Sequence, residues 1–165
     1  MSLTVVRKLL GRHRMAIETP SAPVRVDWVT GASFVARLSA LRQSDLFDER
    51  FFLYWEEIEL CHRISAAGYE IWCIPDARVF HSGGVSTGMH VSERRIPPYW
   101  FASRNHFFRT TGRGGNVTLL NLSVAASLAV QRIHRKLRGQ PLTPPYYLRD
   151  FVRHSFEKGP QDDQR

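Results

Sequence analysis

The apolar run "VRVDWV" reads as a strand from Val24 to Val29, closed by a Thr30-Gly31 turn. A short apolar segment then leads into a helix from about Ser39. "DLFDERFF" follows as a loop with aromatic anchors. From Glu56 to Ala67 the apolar period becomes helical, with Leu60, Cys61 and Ile64 on one inward face and Gly68 at the C-terminal cap. "EIWCIP" is a buried strand stopped by Pro75, and "ARVFH" is a second short strand. "SGGVSTGMHVSERRIPP" has the makeup of a loop, and loops of this length are usually functional or disordered. Helices are predicted at Tyr99–Thr111 and Asn116–Arg138, with "TGRGGN" between them and a Pro-rich stretch and charged tail after. Before Val24 stand a basic helix candidate over the first fourteen residues and the Pro-rich connector "ETPSAPV". Strand and helix alternate, yet the strands are few for 165 residues. The pattern is that of part of an α/β fold.

One short stretch concentrates the candidate chemistry. Glu56, Glu57 and Glu59 open the helix directly after the aromatic run "FFLYW". At about 100° per residue, Glu57 shares the inward face with Cys61 and Ile64. Glu56, Glu59 and Arg63 fall on the opposite side, with Glu59 and Arg63 spaced for an i,i+4 ion pair. A first-turn acid is favoured by the helix dipole, and one aimed inward faces a cleft where a general base could sit. A capping or ion-paired structural acid is the plain alternative. His81 ends a strand before "SGGVS", whose glycines allow close backbone approach to a ligand. It is a metal-ligand candidate or a structural histidine. The other histidines form no HxxxH or HExxH pair, which argues against a dedicated zinc site.

Composition narrows the partners. The formal charge of +8 and pI near 10.2 favour an anionic one. Cys61 and Cys73 make no CxxC and no disulfide framework, so reduced thiols in a cytosolic compartment are the default. No segment reaches the roughly 20 apolar residues of a membrane span. The nearest, "VTLLNLSVAASLAV", is interrupted by Asn121, Ser123 and Ser127. No signal peptide is visible.

Taken together, these pieces are far more specific. Gly31-Ala32, Phe47-Asp48-Glu49, Phe51-Phe52, Tyr54, Glu56, Leu60-Cys61, Arg63, Gly68-Tyr69, Pro75, His81, Gly83-Gly84 and Ser86 stand in the order of a known pattern. From about Arg25 to Arg109 the chain resembles the C-terminal half of bacterial family 2 glycosyltransferases, especially the rhamnosyltransferase-like branch. The fold expected from the resemblance is the C-terminal portion of a GT-A (Rossmann-like) fold, a few strands plus C-terminal helices. The N-terminal nucleotide-binding half with its Asp-x-Asp motif has no counterpart in these residues. Residues 1–23 would then be a basic helix and connector, 24–113 the acceptor and catalytic-base region, and 114–165 a helical segment and tail.

The resemblance implies inverting transfer of a sugar from a nucleotide-sugar donor to a glycan or lipid-linked acceptor. It places the base at Glu57, with Glu56 the alternative. It implies Gly31, Ala32, Tyr54, Trp55 and Arg104 as substrate-binding positions, and His81 as a ligand to a divalent cation, Mg2+ or Mn2+. Glu stands at 57 and 59 where the family carries Asp, so the base reaches one methylene further. A non-catalytic acceptor-binding or partner module derived from the same fold is the second reading. A nucleic-acid binder is the third, disfavoured because the basic residues gather at Arg7–Arg14 and Arg132–Arg138 without an aromatic-interleaved platform. Expected partners include a second copy, or a chain supplying the nucleotide-binding half. Arg132, Arg135, Lys136 and Arg138 close an apolar helix and suit an anionic membrane surface, or the helix packs on a missing partner. A cytoplasmic site, peripheral at the inner face of the plasma membrane, follows.

Overall fold

The computed structural model describes residues 20–81, 95–113, 115–141 and 144–156. The basic helix candidate at the N-terminus and most of the Gly-rich loop after His81 lie outside them. Val24–Val26 (β1) pairs antiparallel with Ile71–Cys73 (β2), Val24 opposite Cys73 and Val26 opposite Ile71. The strand expected over 24–29 therefore stops at Val26. Its partner leaves the ladder at Pro75, where the Ala77 N–H donates back to the Ile74 carbonyl at 3.1 Å. The second strand expected at Ala77–His81 is irregular instead. No neighbouring strand lies beside it among the described residues, and Val79 and Phe80 are exposed.

Leu38–Gln43 (α1) and Glu56–Ala66 (α2) pack on this small sheet. Leu60, Cys61, Ile64 and Ile71 form the core, flanked by Val26 and Leu41. The inward face read from the helical period is the buried one. Gly68 ends α2 at φ +88°, a left-handed conformation that costs glycine nothing. There the Tyr69 N–H donates to the Ile64 carbonyl at 3.2 Å. Cys61 and Cys73 are free thiols.

Pro98–Thr111 (α3), Val117–Leu137 (α4) and Tyr147–Ser155 (α5) pack on one another. Pro98 starts α3, where its missing N–H is no loss. Asn116 caps α4, its Oδ1 accepting from the Thr118 and Leu119 N–H groups. The helix α5 was not expected, because its segment follows a Pro-rich stretch and is short. Phe151 and Asp150 are nevertheless almost wholly buried in it, Asp150 paired with Arg95. A polar knot ties the three helices. Asn121 Oδ1 accepts from the Arg104 guanidinium at 2.6 Å, and its Nδ2 donates to Asn105 Oδ1 and to the Ser155 carbonyl. No helix among the described residues is long and apolar enough to cross a membrane.

Candidate functional site

The loop before α2 is fastened onto α3 at successive points. Asp48 Oδ2 lies 2.8 Å from His106 Nε2, and the Phe51 ring meets the His106 ring edge-on. Ser103 Oγ donates to the Leu53 carbonyl at 3.0 Å. Tyr54 stacks on Tyr99, and Trp55 packs against Trp100, Phe107 and Phe108. This fastening holds Tyr54 and Trp55 at φ +66° and +73°, a conformation that bulky side chains avoid. Such residues cost of order 1–3 kcal/mol each and persist only where the surroundings overdetermine them. Trp55 is the residue that launches α2. The aromatic run thus sets where the acids point.

Burial alone would raise the Asp48 pKa, but hydrogen bonds from Arg50 and His106 outweigh it and hold the carboxyl well below the usual range. Neither Asp48 nor His106 was singled out in the sequence. Asp48 sits inside the "FDE" motif and was visible only as part of a pattern.

The three acids behave differently. Glu59 does not project outward as the helical wheel suggested. It is 4% exposed, and both its oxygens accept from Arg63 at 2.7 Å, while Arg63 also donates to the Leu46 carbonyl. The loop that includes Leu46 folds over this side of α2, so the i,i+4 pair is real but covered. Glu56, also expected on the outer side, is half-buried, with Oε2 buried and without a hydrogen-bond partner. Burial first, and then the Glu57 charge, push its pKa up. Glu57 likewise carries a buried, unpartnered Oε2. Its side chain lies against Gly31, where an added Cβ would stand 3.8 Å from the Glu57 carboxyl carbon. Gly31 therefore borders Glu57, while the Ala32 N–H donates to Thr30 Oγ1 at 3.3 Å, and Tyr54 and Trp55 immediately precede the acids.

The raised Glu56 pKa has a testable sign. A carboxyl whose folded pKa exceeds its unfolded value of 4.5 lowers stability as pH rises through that window. Glu56→Gln should therefore stabilise the chain against urea at pH 7 and have little effect below about pH 4. Equal effects at both values would show that the Glu56 charge carries no burial penalty.

Arg104 is buried among the C-terminal helices. It is 6% exposed, held by Asn121 and Asn105, with its guanidinium over the Phe108 and Phe151 rings, and burial pushes its pKa down. The substrate-binding role expected for it meets a residue engaged in helix packing. His81 is exposed at the end of its segment. Among the described residues, no group of three or more His, Cys, Asp or Glu is arranged so that it could hold a metal ion. His81 would contribute one ligand, which by itself does not make a cation site.

No family model matches the chain, and no solved structure matches it. Curated proteins do. The chain is 33% identical over 123 residues to an N-acetylglucosaminyl-diphospho-decaprenol L-rhamnosyltransferase of Mycobacterium tuberculosis, covering 68% of this chain and 40% of that protein. It is 32% identical over 79 residues to the rhamnosyltransferase WbbL of Escherichia coli K12, covering 47% of this chain and 30% of that one. These homologues are glycosyltransferases, and in particular rhamnosyltransferases, consistent with the family 2 resemblance read from the sequence. The chain spans about two fifths of the length of the Mycobacterium relative.

Proposed function

We propose that this chain forms the acceptor-side, base-carrying part of an inverting glycosyltransferase of the GT-A fold. It would transfer a sugar, rhamnose by the names of its relatives, from a nucleotide-sugar donor to a glycan or lipid-linked acceptor. The observation that carries this reading is the Glu57 carboxylate, half-buried against Gly31, with one oxygen left without a partner. An unpaired buried acceptor is costly unless something comes to use it. An acceptor hydroxyl can donate to that oxygen. As the hydroxyl oxygen attacks the anomeric carbon, Glu57 takes its proton, the bond to the diphosphate breaks, and the nucleoside diphosphate leaves with the electron pair. A divalent cation, Mg2+ or Mn2+, would neutralise the leaving diphosphate. The described residues do not assemble its site, so no step is assigned through it.

The test joins this chain to the N-terminal portion of the Mycobacterium relative. The fusion is supplied with nucleotide-activated rhamnose and N-acetylglucosaminyl-diphospho-decaprenol. Transfer of labelled rhamnose to the lipid is the expected result. Donor binding without turnover would overturn the reading in favour of a non-catalytic acceptor-binding module.

A further inference from the structure

The helix α4 is apolar on two opposite sides, and among the described residues only one of them is packed. Its packed side carries Asn121 and Leu128, with Arg132 and Arg135 donating to the Pro145 and Pro141 carbonyls. On the other side Leu119, Leu122, Ala126, Val130, Ile133 and Leu137 are all exposed. Their spacings of three and four residues place them within an arc of about 80°, a stripe about 27 Å long. Leu137 is 81% exposed and Val130 67%. A contiguous exposed apolar stripe of this kind marks an interaction surface.

Charge decides what covers it. The sequence contains no Asp or Glu from Arg94 to Arg149, while Arg109, Arg113, Lys136, Arg138 and Arg149 in that span are exposed. Lys136 flanks the stripe about 80° from its centre, and Arg138 follows at the helix end. Long basic side chains beside an apolar stripe can lay their stems on it and lift their charges to the phosphate level of a bilayer. A second copy of the same acid-free surface would bring like charges together.

We infer that α4 lies in the interfacial plane of an anionic phospholipid bilayer, with the Leu119–Leu137 stripe inserted and Lys136 and Arg138 at the headgroups. Its packed side keeps α3 and α5, so docking requires no unfolding. The inference rests on α4 alone and stands or falls separately from the assignment of Glu57.

Flotation of the full chain with vesicles tests it, because aggregated protein stays at the bottom of the gradient. Vesicles of phosphatidylglycerol and phosphatidylcholine should carry the chain up at low salt, and salt should release it. Pure phosphatidylcholine should carry much less. Leu122→Gln and Ile133→Gln keep good helix formers at exposed positions, and each should weaken partitioning about tenfold or more. Lys136→Glu should weaken it about fivefold or more on anionic vesicles only. Unchanged helical circular dichroism in these variants separates loss of docking from loss of fold. Equal flotation on both vesicle types, or wild-type flotation of the Gln variants, overturns the inference. So does an absence of flotation together with a dimer, seen by light scattering, that the Gln variants dissolve.

Discussion

Glu57→Gln in an active enzyme containing this chain is expected to lower kcat by about 10²–10⁴-fold. Donor affinity should stay within about twofold. The substitution keeps the side chain's volume and its contact with Gly31, and removes only its capacity to accept a proton. That isolates general-base chemistry from packing. Glu59→Gln should act otherwise, because Glu59 is covered and chelated by Arg63. Its loss weakens the fold more than the turnover. Glu56→Gln is the discriminating comparison, since Glu56 also holds a buried, unpartnered oxygen beside the same helix start. A large kcat loss in Glu56→Gln with little change in Glu57→Gln would move the base by one residue. Steady-state kcat and donor KM for the three variants, measured side by side, decide this.

Phe101→Ala is expected to destabilise the chain by about 4 kcal/mol, near the cost of truncating a fully enclosed aromatic ring. Phe101 is 0% exposed and touches Trp100 on its own helix and Tyr147, Phe151 and His154 on α5. No single rearrangement of α3 can fill a space walled by both helices. Against a total stability of about 5–15 kcal/mol, such a loss is large. Urea unfolding followed by circular dichroism reads it directly. A loss under about 1.5 kcal/mol would mean that the α3–α5 contact is soft and the site loop rests on other supports.

Periodicity made the core of α2 legible, because Leu60, Cys61 and Ile64 repeat at helical spacing and are its buried apolar residues. The resemblance brought Gly31 to notice, and the structure sets it beside Glu57. What escaped was whatever depends on a distant segment. Glu59 reads as an outward acid on a helical wheel until residue 46 is known to fold over it. The resemblance brought Arg104 to notice, but its hold by Asn121, on another helix, depends on a contact that no local pattern shows. The helix α5 is too short for its period to speak, and its burial comes from Phe101 and Asn121. The strand predicted over Ala77–His81 had the right composition, but composition does not supply a neighbouring strand.

The left-handed pair Tyr54-Trp55 sets two demands on one site of mutation. The backbone there favours glycine or asparagine, and relieving it is worth about 1 kcal/mol at Trp55. The half-buried ring there packs between Trp100, Phe107 and Phe108, and forfeiting it costs about 2–3 kcal/mol. The ring outweighs the backbone. Sequence drift at position 55 is therefore confined to side chains that are poor for its backbone. A change on the facing surface of α3, at Trp100, Phe107 or Phe108, can release the constraint and re-aim the carboxylates without altering any of the acids themselves.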